Sequence, residues 1–400
     1  MITGLRAQNF KSWKDTGDLR IAPLTGLFGA NSSGKTGILQ ALLVLKQSAE
    51  FPDPGRALYF GDERTPFDLG TFSDVIHGHD VGLELRLWLC WQARPTGSLE
   101  AAFSERDGRL HLSQFACKLG NEALGIREES DGFSCTRDGV TWFGVESPWG
   151  VHTASVHGPD FALQRVLEGL NYLGPLRQRP RRAPHVWSGS TPWGVGPDGG
   201  EFAQALLSTL GGRRTIEAVA GALRSMKLID AFRIEAVAPG RRDYEIRLKK
   251  TGASAEVLLP DVGCGVSQVL PVLVLCYYAD EGSTLVIEQP ELHLHPAAQS
   301  ELADVLIDVV KNRNMQIILE SHSEHLLRRL QRRIAEGQFE AGDAALYFCE
   351  MDNGASKCTP LELTSEGFIK NWPKDFFGDE MGDIAAISEE AMKRRLQRVK

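Results

Sequence analysis

The sequence of 400 residues is poor in cysteine and has no long apolar run. Its seven cysteines are scattered and odd in number, and no two of them form a C-x-x-C pair. This usage predicts reduced, mostly buried thiols and argues against both a disulfide framework and a zinc site. No apolar stretch approaches the roughly 18 residues that a membrane-spanning helix requires. We therefore expect no membrane segment.

No secretory signal is apparent in the sequence, and we find neither a sustained heptad repeat nor an internal repeat. Its first residues, MITGLRAQNF, contain no basic segment followed by a long apolar one. Without heptads, a long coiled-coil arm is not expected. The formal net charge of −8 argues against indiscriminate coating of nucleic acid, although net charge does not describe local patches. We predict a cytoplasmic globular protein.

A glycine-containing loop near the N-terminus carries the strongest functional signal. Its residues are Gly29, Ala30, Asn31, Ser32, Ser33, Gly34, Lys35 and Thr36. An apolar run at 24–28 precedes the loop, and residues 37–46 have the apolar spacing of an amphipathic helix. Strand, loop and helix in this order are the context in which the pattern G-x-x-x-x-G-K-[ST] binds phosphate.

Each part of this loop has a physical role. Backbone N–H groups at the helix N-terminus can surround phosphate oxygens, and Lys35 can reach the β- and γ-phosphates. Gly29 and Gly34 suit conformations or close approaches in which a Cβ atom would clash. Thr36 is the predicted Mg²⁺ ligand through its hydroxyl. The alternative is a chance match in a glycine-rich chain, which the flanking strand and helix disfavour.

The N-terminal turn is a second candidate for nucleotide contact. Residues 2–9 have the pattern of a strand, and the turn at 9–15 leads to a second strand at about 18–28. Lys11 and Ser12 lie in this turn, where they could meet a nucleotide. An ordinary solvated turn explains these residues equally well.

The middle of the chain predicts a β layer, a group of helices and a return to strands. The first strand-like runs lie at 81–92, 98–104, 109–119 and 132–144. The short turns between them favour antiparallel pairing. Helical patterns lie at 159–170, 201–210 and 214–228, and a loop rich in proline, glycine and serine occupies 183–200. Later strands lie at 231–237, 243–249 and 254–259.

The second half places an acidic residue at the end of a buried strand. The short apolar run 283–288 ends in Glu288 and is followed by Gln289, Pro290 and Glu291. An acid at the carboxyl end of such a strand is the usual partner of a phosphate loop, because it binds Mg²⁺ directly or through water. Glu288 is therefore the predicted metal-side carboxylate.

Two further segments complete the set of motifs. A strand at 315–319 is followed by Glu320, Ser321 and His322, and a histidine at this edge could sense or polarise a γ-phosphate. Residues 261–268 are glycine-rich and open an apolar helix, so they offer a second anion-binding surface. The alternatives are an ordinary loop histidine and a tight turn before a buried helix.

Taken in order, these motifs resemble those of the ABC-type ATPase heads of the RecF, SMC and OLD-nuclease group. They are F-K-S-W at 10–13, the phosphate loop, a signature motif at 263–268, P-E-L-H-L-H-P at 290–296 and S-H-S at 321–323. Within the group the chain most resembles small bacterial predicted ATPases of uncharacterised function that carry a W-P-x-x-F-F tail, here at 372–377. The resemblance covers most of the chain.

The resemblance implies how such a site works. It implies ATP and Mg²⁺ as cofactors, with Thr36 and Glu288 on the metal and His322 as the switch histidine. It also implies a homodimer or higher oligomer of ATP-sandwiched heads, arranged head to tail. In that dimer the signature residues of one subunit contact the γ-phosphate held by the other; they are Gly263, Gly265, Ser267 and Gln268.

Two departures from the group's pattern affect the expected chemistry. The group usually has a metal-binding Asp followed by a catalytic Glu, whereas this chain has Glu288 followed by Gln289. Glutamine cannot accept a proton from water, although it can orient a water molecule, so we expect slow hydrolysis unless Glu291 serves as the base. The Q-loop glutamine is also missing, and the turn at 68–77 is the positional candidate for it.

Histidines and basic clusters elsewhere have simple alternatives. His293 and His295 have a spacing seen among metal ligands, but packing or capping explains them better. Each basic cluster is either a solvated face or a contact for DNA. The clusters are Arg177, Arg179, Arg181 and Arg182; Arg328, Arg329, Arg332 and Arg333; and Lys393, Arg394, Arg395, Arg398 and Lys400.

We predict an α/β fold: a P-loop NTPase of the ABC/RecF-like head type, with an antiparallel β layer, a helical insertion and no long coiled coil. Four segments are expected. Residues 1–155 form an N-terminal lobe with the phosphate loop, 156–235 a helical insertion with a basic loop, 236–370 a C-terminal lobe with the signature, metal-side acid and histidine, and 371–400 a tail.

The predicted function is an ATPase that dimerises on ATP and acts as the regulatory or sensor subunit of a bacterial defence or DNA-maintenance system. We expect its effector, a nuclease or similar protein, to be a separate chain, because the residues after His322 are too few for the nuclease domain of the OLD group. Two alternatives stay open. One is a RecF-like repair ATPase that binds DNA through Arg177, Arg179, Arg181 and Arg182, and the other is a slowly hydrolysing, ATP-gated scaffold.

Overall fold

A computed structural model describes most of the chain. The described residues are 1–51, 56–63, 65–92, 95–130, 132–137, 139–145, 147–149, 158–209, 214–253, 255–374 and 376–378, together with 386, 387 and 391. The basic cluster predicted at 393–400 and Asp375 of the tail motif lie outside them.

The regular elements of the described residues follow the chain in this order. The strands are β1 (Ile2–Phe10), β2 (Trp13–Asp15), β3 (Leu19–Arg20), β4 (Leu24–Gly29), β5 (Leu85–Trp91), β6 (Gly97–Arg106), β7 (Arg109–Leu119), β8 (Glu122–Glu129), β9 (Gly132–Arg137), β10 (Val140–Val145), β11 (Leu170–Leu173), β12 (His185–Val186), β13 (Ile229–Ala236), β14 (Asp243–Lys250), β15 (Glu256–Leu258), β16 (Thr284–Glu288), β17 (Gln316–Glu320), β18 (Ala344–Asp352) and β19 (Ala355–Pro360). The helices are α1 (Lys35–Glu50), α2 (Phe72–Val75), α3 (Pro159–Glu168), α4 (Phe202–Ser208), α5 (Arg214–Ser225), α6 (Cys264–Tyr278), α7 (Pro296–Arg313) and α8 (Glu324–Ala335).

The predicted antiparallel layer is present. Its strands are ordered β10-β9-β8-β7-β6-β5-β1-β2, and β3 pairs with β1. All of these pairs are antiparallel, and most join strands that follow each other in sequence. Tight turns between neighbouring strands produce this meander, as the turn residues of the sequence indicate.

A second sheet carries the phosphate loop. Its strands are ordered β11-β16-β17-β4-β18-β19, and every neighbouring pair except β18 and β19 is parallel. The single strand predicted at about 18–28 is wrong, because β3 belongs to the antiparallel layer and β4 to this sheet. Pro23 lies between them, and a proline cannot donate a ladder hydrogen bond.

The parallel sheet is covered on both faces. Val286 and Ile318 belong to the core shared with α1 and the antiparallel layer. Their neighbours Leu285 and Ile317 belong to the core shared with α6, α7 and α8. Successive side chains of a strand point to opposite faces, so strands buried on both faces read as continuous apolar runs. This explains the apolar run that ends at Glu288.

The segment predicted as a helical insertion, 156–235, is more mixed than expected. It contains α3, α4 and α5, but β11 is a strand of the parallel sheet and β12 and β13 pair with β14 in a third sheet. Both α4 and α5 pack against α6. The segment is therefore built into the core, and the boundaries of the four predicted segments stay a prediction.

The W-P-x-x-F-F tail packs behind the phosphate-loop strand. The ring of Phe376 lies 6.1 Å from the ring of Phe28 and 4.9 Å from that of Phe348, both edge to face. Trp372 lies 4.9 Å from Phe376, and the Arg328 guanidinium is 4.2 Å above the Trp372 ring. The tail is thus part of the core at this end of the sheet.

Several features expected from composition are found in the described part of the chain. All seven cysteines are free thiols, and Cys117, Cys135, Cys276 and Cys349 are buried. The longest helix there, α7, has 18 residues, which is too short for a coiled-coil arm. No described helix combines the length and the apolar character that a bilayer crossing needs.

Candidate functional site

The phosphate loop connects β4 to α1 and depends on its two glycines. Gly29 has a φ of 136°, and a Cβ atom there would lie 2.0 Å from the carbonyl oxygen of Cys349. Gly34 caps α1 with a φ of 91°, and its Cβ atom would lie 2.3 Å from the hydroxyl of Ser356. Both positions combine a left-handed backbone with a close neighbour, so only glycine fits them without strain.

Lys35 is folded back into its own loop. Its ammonium donates hydrogen bonds to the carbonyl oxygens of Gly29 (3.1 Å) and Ala30 (2.6 Å) and to the Ser33 hydroxyl (3.3 Å). The side chain is 2% exposed. Burial lowers the pKa of Lys35, and the nearby Glu320 carboxylate opposes this shift. The ammonium therefore has weak, replaceable partners at the position where phosphate oxygens would offer stronger ones.

Two glutamates end neighbouring strands beside this loop. Glu288 ends β16, Glu320 ends β17, and the two residues are direct partners in the parallel ladder. Glu320 in turn pairs with Leu27, close to the end of β4. The Thr36 hydroxyl donates to Glu320 Oε2 over 2.8 Å. The carboxyl ends of three adjacent strands therefore bring the loop and both acids to one edge.

Glu288 is buried and held by a tyrosine. Its Oε1 accepts a hydrogen bond of 2.7 Å from the hydroxyl of Tyr172 on β11. Burial raises the pKa of Glu288 to about 7, and the charge of Glu320 adds to the shift while Tyr172 and Arg177 oppose it. Burial and the same acid raise the pKa of Tyr172 above its usual value. Such a carboxylate favours a cation beside it.

Arg177 does not belong to an exposed DNA contact, so that part of the prediction is wrong. The side chain is 7% exposed, and its Nη2 donates to the carbonyl oxygens of Glu288 (2.8 Å) and Gln289 (3.2 Å). Burial lowers the pKa of Arg177 to about 10, and the charges of Glu291 and Glu288 oppose this shift. Arg179, Arg181 and Arg182 are exposed, and Arg182 forms an ion pair with Asp261.

The residues after Glu288 form a tight loop above Arg177. Gln289 has a φ of 44°, and its backbone N–H donates to the carbonyl oxygen of Glu320. Glu291 Oε1 accepts a hydrogen bond of 2.8 Å from the backbone N–H of His322. Burial raises the pKa of Glu291 and lowers that of His322. The His322 ring nitrogen Nε2 lies 3.9 Å from Glu320 Oε1, so the histidine faces the same edge.

The N-terminal turn lies against the phosphate loop. Trp13 Nε1 donates to the carbonyl oxygen of Gly34 over 2.9 Å, and the Ser12 hydroxyl accepts from the Ser356 hydroxyl over 2.6 Å. The Lys11 ammonium donates to Gln40 of α1 over 2.6 Å. A cavity of about 460 Å³ is lined by Lys11, Ser12, Asp74, Ile76, His77, Gly78, His79 and Gly354. The predicted Q-loop turn thus lies beside the N-terminal turn.

The signature motif opens α6 on a different loop. A Cβ atom on Gly265 would lie 2.7 Å from the carbonyl oxygen of His293, so the motif packs on the loop that follows β16. Ser267 and Gln268 are buried, and the Ser267 hydroxyl donates to the carbonyl oxygen of Cys264. Gly263 is exposed, with open space around its Cβ position. None of the hydrogen bonds found among described residues joins the motif to the phosphate loop of the same chain.

One of the two histidines after β16 caps a helix. His295 caps α7, because its Nδ1 accepts from the backbone N–H of Ala297 over 3.3 Å, which confirms the capping interpretation for this residue. His293 has a φ of 64° and lies in the turn before it. Within the part of the chain that the structure describes, no three His, Cys, Asp or Glu residues are grouped as metal ligands.

The sequence does not predict the contacts that four residues make at the site: Tyr172, Arg177, Glu320 and Ser356. Glu320 ends an apolar strand just as Glu288 does, so the same strand-end signal could have found it. Tyr172 and Ser356 carry no such signal, because Tyr172 reaches Glu288 through the pairing of β11 with β16 and Ser356 meets Ser12 where β19 lies against the N-terminal turn. Arg177 stood in an arginine-rich run that favoured an exposed interpretation.

The fold and the site together define a class of protein. A phosphate loop after a central strand, an acid-ended neighbouring strand, a signature helix and an antiparallel layer give the chain the fold of the ABC/RecF/SMC-like P-loop ATPase heads. The family described as "AAA ATPase domain" matches residues 220–327, which include the signature motif, Glu288 and His322. The family described as "Protein of unknown function (DUF3696)" matches residues 340–387. No curated protein matches the sequence.

Solved structures support the fold assignment. An SMC head bound to the C-terminal winged-helix domain of ScpA matches with 16% identity and a TM-score of 0.50, covering 90% of this chain and 98% of that one. An SMC head with an extended coiled coil, bound to the C-terminal domain of ScpA from Pyrococcus furiosus, matches with 12% identity and a TM-score of 0.51, covering 90% and 96%. At these identities the likeness concerns the fold alone.

Proposed function

We propose that this chain binds ATP with Mg²⁺ at residues 29–36 and hydrolyses it. The observation that carries the proposal is the convergence of Lys35, Thr36, Glu288 and His322 on one edge of the parallel sheet. The α1 N-terminus and Lys35 offer donors and positive charge for phosphate oxygens. A hydroxyl and carboxylates are hard oxygen ligands of the kind Mg²⁺ prefers, so the donor set fits this ion.

The residues divide the work of the site. Lys35 exchanges its loop carbonyl partners for the β- and γ-phosphates, and Thr36 and Glu288 hold the metal side. When bound, Mg²⁺ neutralises phosphate charge. Gln289 orients the attacking water, and His322 lies where a γ-phosphate would be sensed. Glu291 is the candidate base, although its contact with the His322 backbone also suits a positioning role.

We further propose a head-to-tail dimer completed by the signature motif. The motif makes no hydrogen bond to its own phosphate loop among described residues, and Gly263 and Cys264 at its tip are exposed. An exposed helix N-terminus can approach a phosphate held by a second copy. Lys11 and Ser12 beside the 460 Å³ cavity are proposed to contact the same nucleotide.

Nucleotide binding is tested with Lys35→Ala. We expect ATP affinity to fall about ten- to a hundred-fold, because a charge-assisted hydrogen bond is worth about 1.5–3 kcal/mol. Titration calorimetry with ATP and Mg²⁺ measures this. A wild-type chain that binds no ATP, or a variant that binds it equally well, would refute the proposal.

The dimer is tested at Gly263, because Ser267 is buried and a large side chain there would disturb α6. Gly263→Arg points into open space and should leave ATP binding to the monomer intact while abolishing ATP-driven dimerisation. Gly342→Arg is the matched control, since Gly342 is also exposed with open space around its Cβ position. Light scattering after gel filtration reports the mass. A Gly263→Arg dimer would contradict the signature role.

The biological role that we propose is regulation of a separate effector, in a cytoplasmic bacterial defence or DNA-maintenance system. Two of the similar heads were solved with a bound ScpA domain, which supports the idea that a head of this fold can seat another protein. Co-expression with the products of adjacent genes tests this role. Complexes that form in the wild type and change with Gly263→Arg would support it; their absence would count against it.

Two other functions each have one favourable observation. Arg179 and Arg181 are exposed, which favours DNA binding, and salt-sensitive anisotropy with labelled DNA that is lost in a double Ala variant would support it. Gln289 favours an ATP-gated scaffold with little turnover. If Gln289→Glu raises the steady-state ATPase rate, the slow step lies at this position, and an unchanged rate would argue against that explanation.

A further inference from the structure

Glu320 is in contact with the two residues of the phosphate loop that matter most for nucleotide binding. Its Oε2 accepts a hydrogen bond of 2.8 Å from the Thr36 hydroxyl, and its Oε1 lies 3.9 Å from Lys35 Nζ. The residue is 4% exposed. Hydrogen bonds from Gln289 to the Glu320 carbonyl and from Ser321 to the Leu27 carbonyl fix the backbone on both sides. This carboxylate is therefore held in place by the sheet.

The position of Glu320 relative to Thr36 is that of a metal-side acid. When a threonine hydroxyl coordinates a cation through its oxygen, its O–H group still needs an acceptor to which it can donate a hydrogen bond. Glu320 is that acceptor here, whereas Glu288 accepts its hydrogen bond from Tyr172. The two carboxylates are ladder partners on adjacent strands, so they lie side by side.

Two buried carboxylates side by side repel each other and favour a cation between them. Lys35 is the ammonium beside Glu320, but its three hydrogen bonds go to Gly29, Ala30 and Ser33. A divalent ion with oxygen ligands would neutralise both acids at once.

We propose that Glu320 is a second carboxylate of the cation site, so that Thr36, Glu288 and Glu320 together hold the divalent ion that enters with the nucleotide. The inference rests on the proposed ATP site. Without nucleotide, Glu320 accepts the hydrogen bond of the Thr36 hydroxyl and lies beside the Lys35 ammonium. A metal-free triphosphate entering this site meets two acidic charges, so binding should depend steeply on the divalent ion.

Glu320→Gln separates charge from shape. Glutamine keeps an oxygen that can accept the Thr36 hydroxyl but removes one negative charge. We expect the variant to bind nucleotide about ten-fold more tightly in EDTA, because one repulsive charge beside the phosphates is lost. We also expect it to need at least about ten-fold more Mg²⁺ for full affinity, because it has lost a carboxylate of the ion site.

The experiment uses the full chain and the fluorescent nucleotide mant-ATP, titrated in EDTA and at increasing Mg²⁺. Glu324→Gln is the matched control: it removes the same charge four residues along, from an exposed pair with Arg328. Glu320→Asp keeps the charge and should keep weak binding in EDTA. With Mn²⁺ in place of Mg²⁺, electron paramagnetic resonance measures the concentration of free ion and so reports ion binding directly.

The outcomes are distinct. Tighter binding in EDTA together with a raised Mg²⁺ requirement in Glu320→Gln, and neither in Glu324→Gln, supports the inference. A folded Glu320→Gln with wild-type behaviour in both titrations overturns it while leaving the ATP site intact. If Glu320→Gln fails to fold, Glu320→Asp decides: tight binding in EDTA despite the retained charge overturns the inference. A wild-type chain that binds no mant-ATP at any Mg²⁺ concentration overturns the ATP site and the inference together.

Discussion

The Arg177 guanidinium donates a hydrogen bond of 2.8 Å to the carbonyl oxygen of Glu288 from beneath the loop that follows β16. The same nitrogen reaches the Gln289 carbonyl over 3.2 Å. Gln289 is held at a positive φ that few residues adopt without support, and Arg177 supplies part of that support. An arginine from one segment thus supports the backbone that presents Glu288, the proposed metal-side acid, and Gln289, the proposed water-orienting residue.

Replacing Arg177 should cost more stability than replacing any exposed arginine of the same run. Arg177→Ala removes a buried guanidinium that donates to the carbonyl oxygens of Glu288 and Gln289, and losing hydrogen bonds made by a charged group costs about 1.5–3 kcal/mol. Arg179→Ala, which removes an exposed side chain, should stay within about 0.5 kcal/mol. Urea unfolding of both variants measures the difference. Equal urea midpoints for the two variants would mean that the Arg177 side chain does not stabilise the fold.

Tyr172→Phe should alter the chemistry of the site more than its stability. The variant loses the hydroxyl that donates to Glu288. Removing a group that hydrogen-bonds a metal ligand typically lowers metal affinity or activity by about ten- to a hundred-fold. Tyr347→Phe loses a hydroxyl that donates to the Arg20 carbonyl and not to an acid, so it serves as control. Both should lose about 1 kcal/mol on unfolding. Steady-state ATPase rates measured at increasing Mg²⁺ concentration should fall in Tyr172→Phe and not in Tyr347→Phe. The same Mg²⁺ dependence in both variants would contradict a role of the Tyr172 hydroxyl at the ion site.

Gly29→Ala should damage both folding and nucleotide binding. The new methyl group would meet the Cys349 backbone at a φ of 136°, and such strain costs on the order of 1–3 kcal/mol. Gly221→Ala is the contrasting change, because Gly221 lies inside α5 with open space around its Cβ position. That variant should gain about 0.5–1 kcal/mol from helix propensity. Thermal unfolding should show a lower melting temperature for Gly29→Ala and a higher one for Gly221→Ala than for the unchanged chain.

Phe376→Ala should destabilise the whole head, although the tail lies late in the chain. Its ring is buried against Phe28, Phe348 and Trp372, and removing a buried phenylalanine ring costs about 3–5 kcal/mol. Phe368→Ala is the control, because Phe368 is 70% exposed. If the tail merely rested on the surface, the two variants would unfold at the same temperature.

Local signals of the sequence predicted most of the site. The run 24–28, the loop and the helical spacing of 37–46 correspond to β4 and α1, since each element is specified by its own residues. Glu288 was found because a strand buried on both faces is apolar until it ends. The strands of the antiparallel layer followed from alternation and turns, which are equally local.

Pairing across the fold could not be predicted in the same way. Nothing in the residues around Leu19 and Leu24 states that they join different sheets, because sheet membership depends on partners distant in sequence. The hydroxyl of Tyr172 meets Glu288 only because β11 lies beside β16. The sequence favours a surface position for Arg177 because arginine usually is exposed, and its burial follows from the carbonyl oxygens of Glu288 and Gln289, which accept its hydrogen bonds across the fold.

The position of β4 has a consequence for synthesis of the protein. All six of its residues are buried, and its two ladder partners, β17 and β18, come from the last quarter of the chain. At about 5–20 residues per second, a ribosome leaves this apolar segment without partners for tens of seconds. Chaperone capture of the nascent N-terminus is therefore expected, and a stalled chain ending before Ala344 should not yet bind nucleotide.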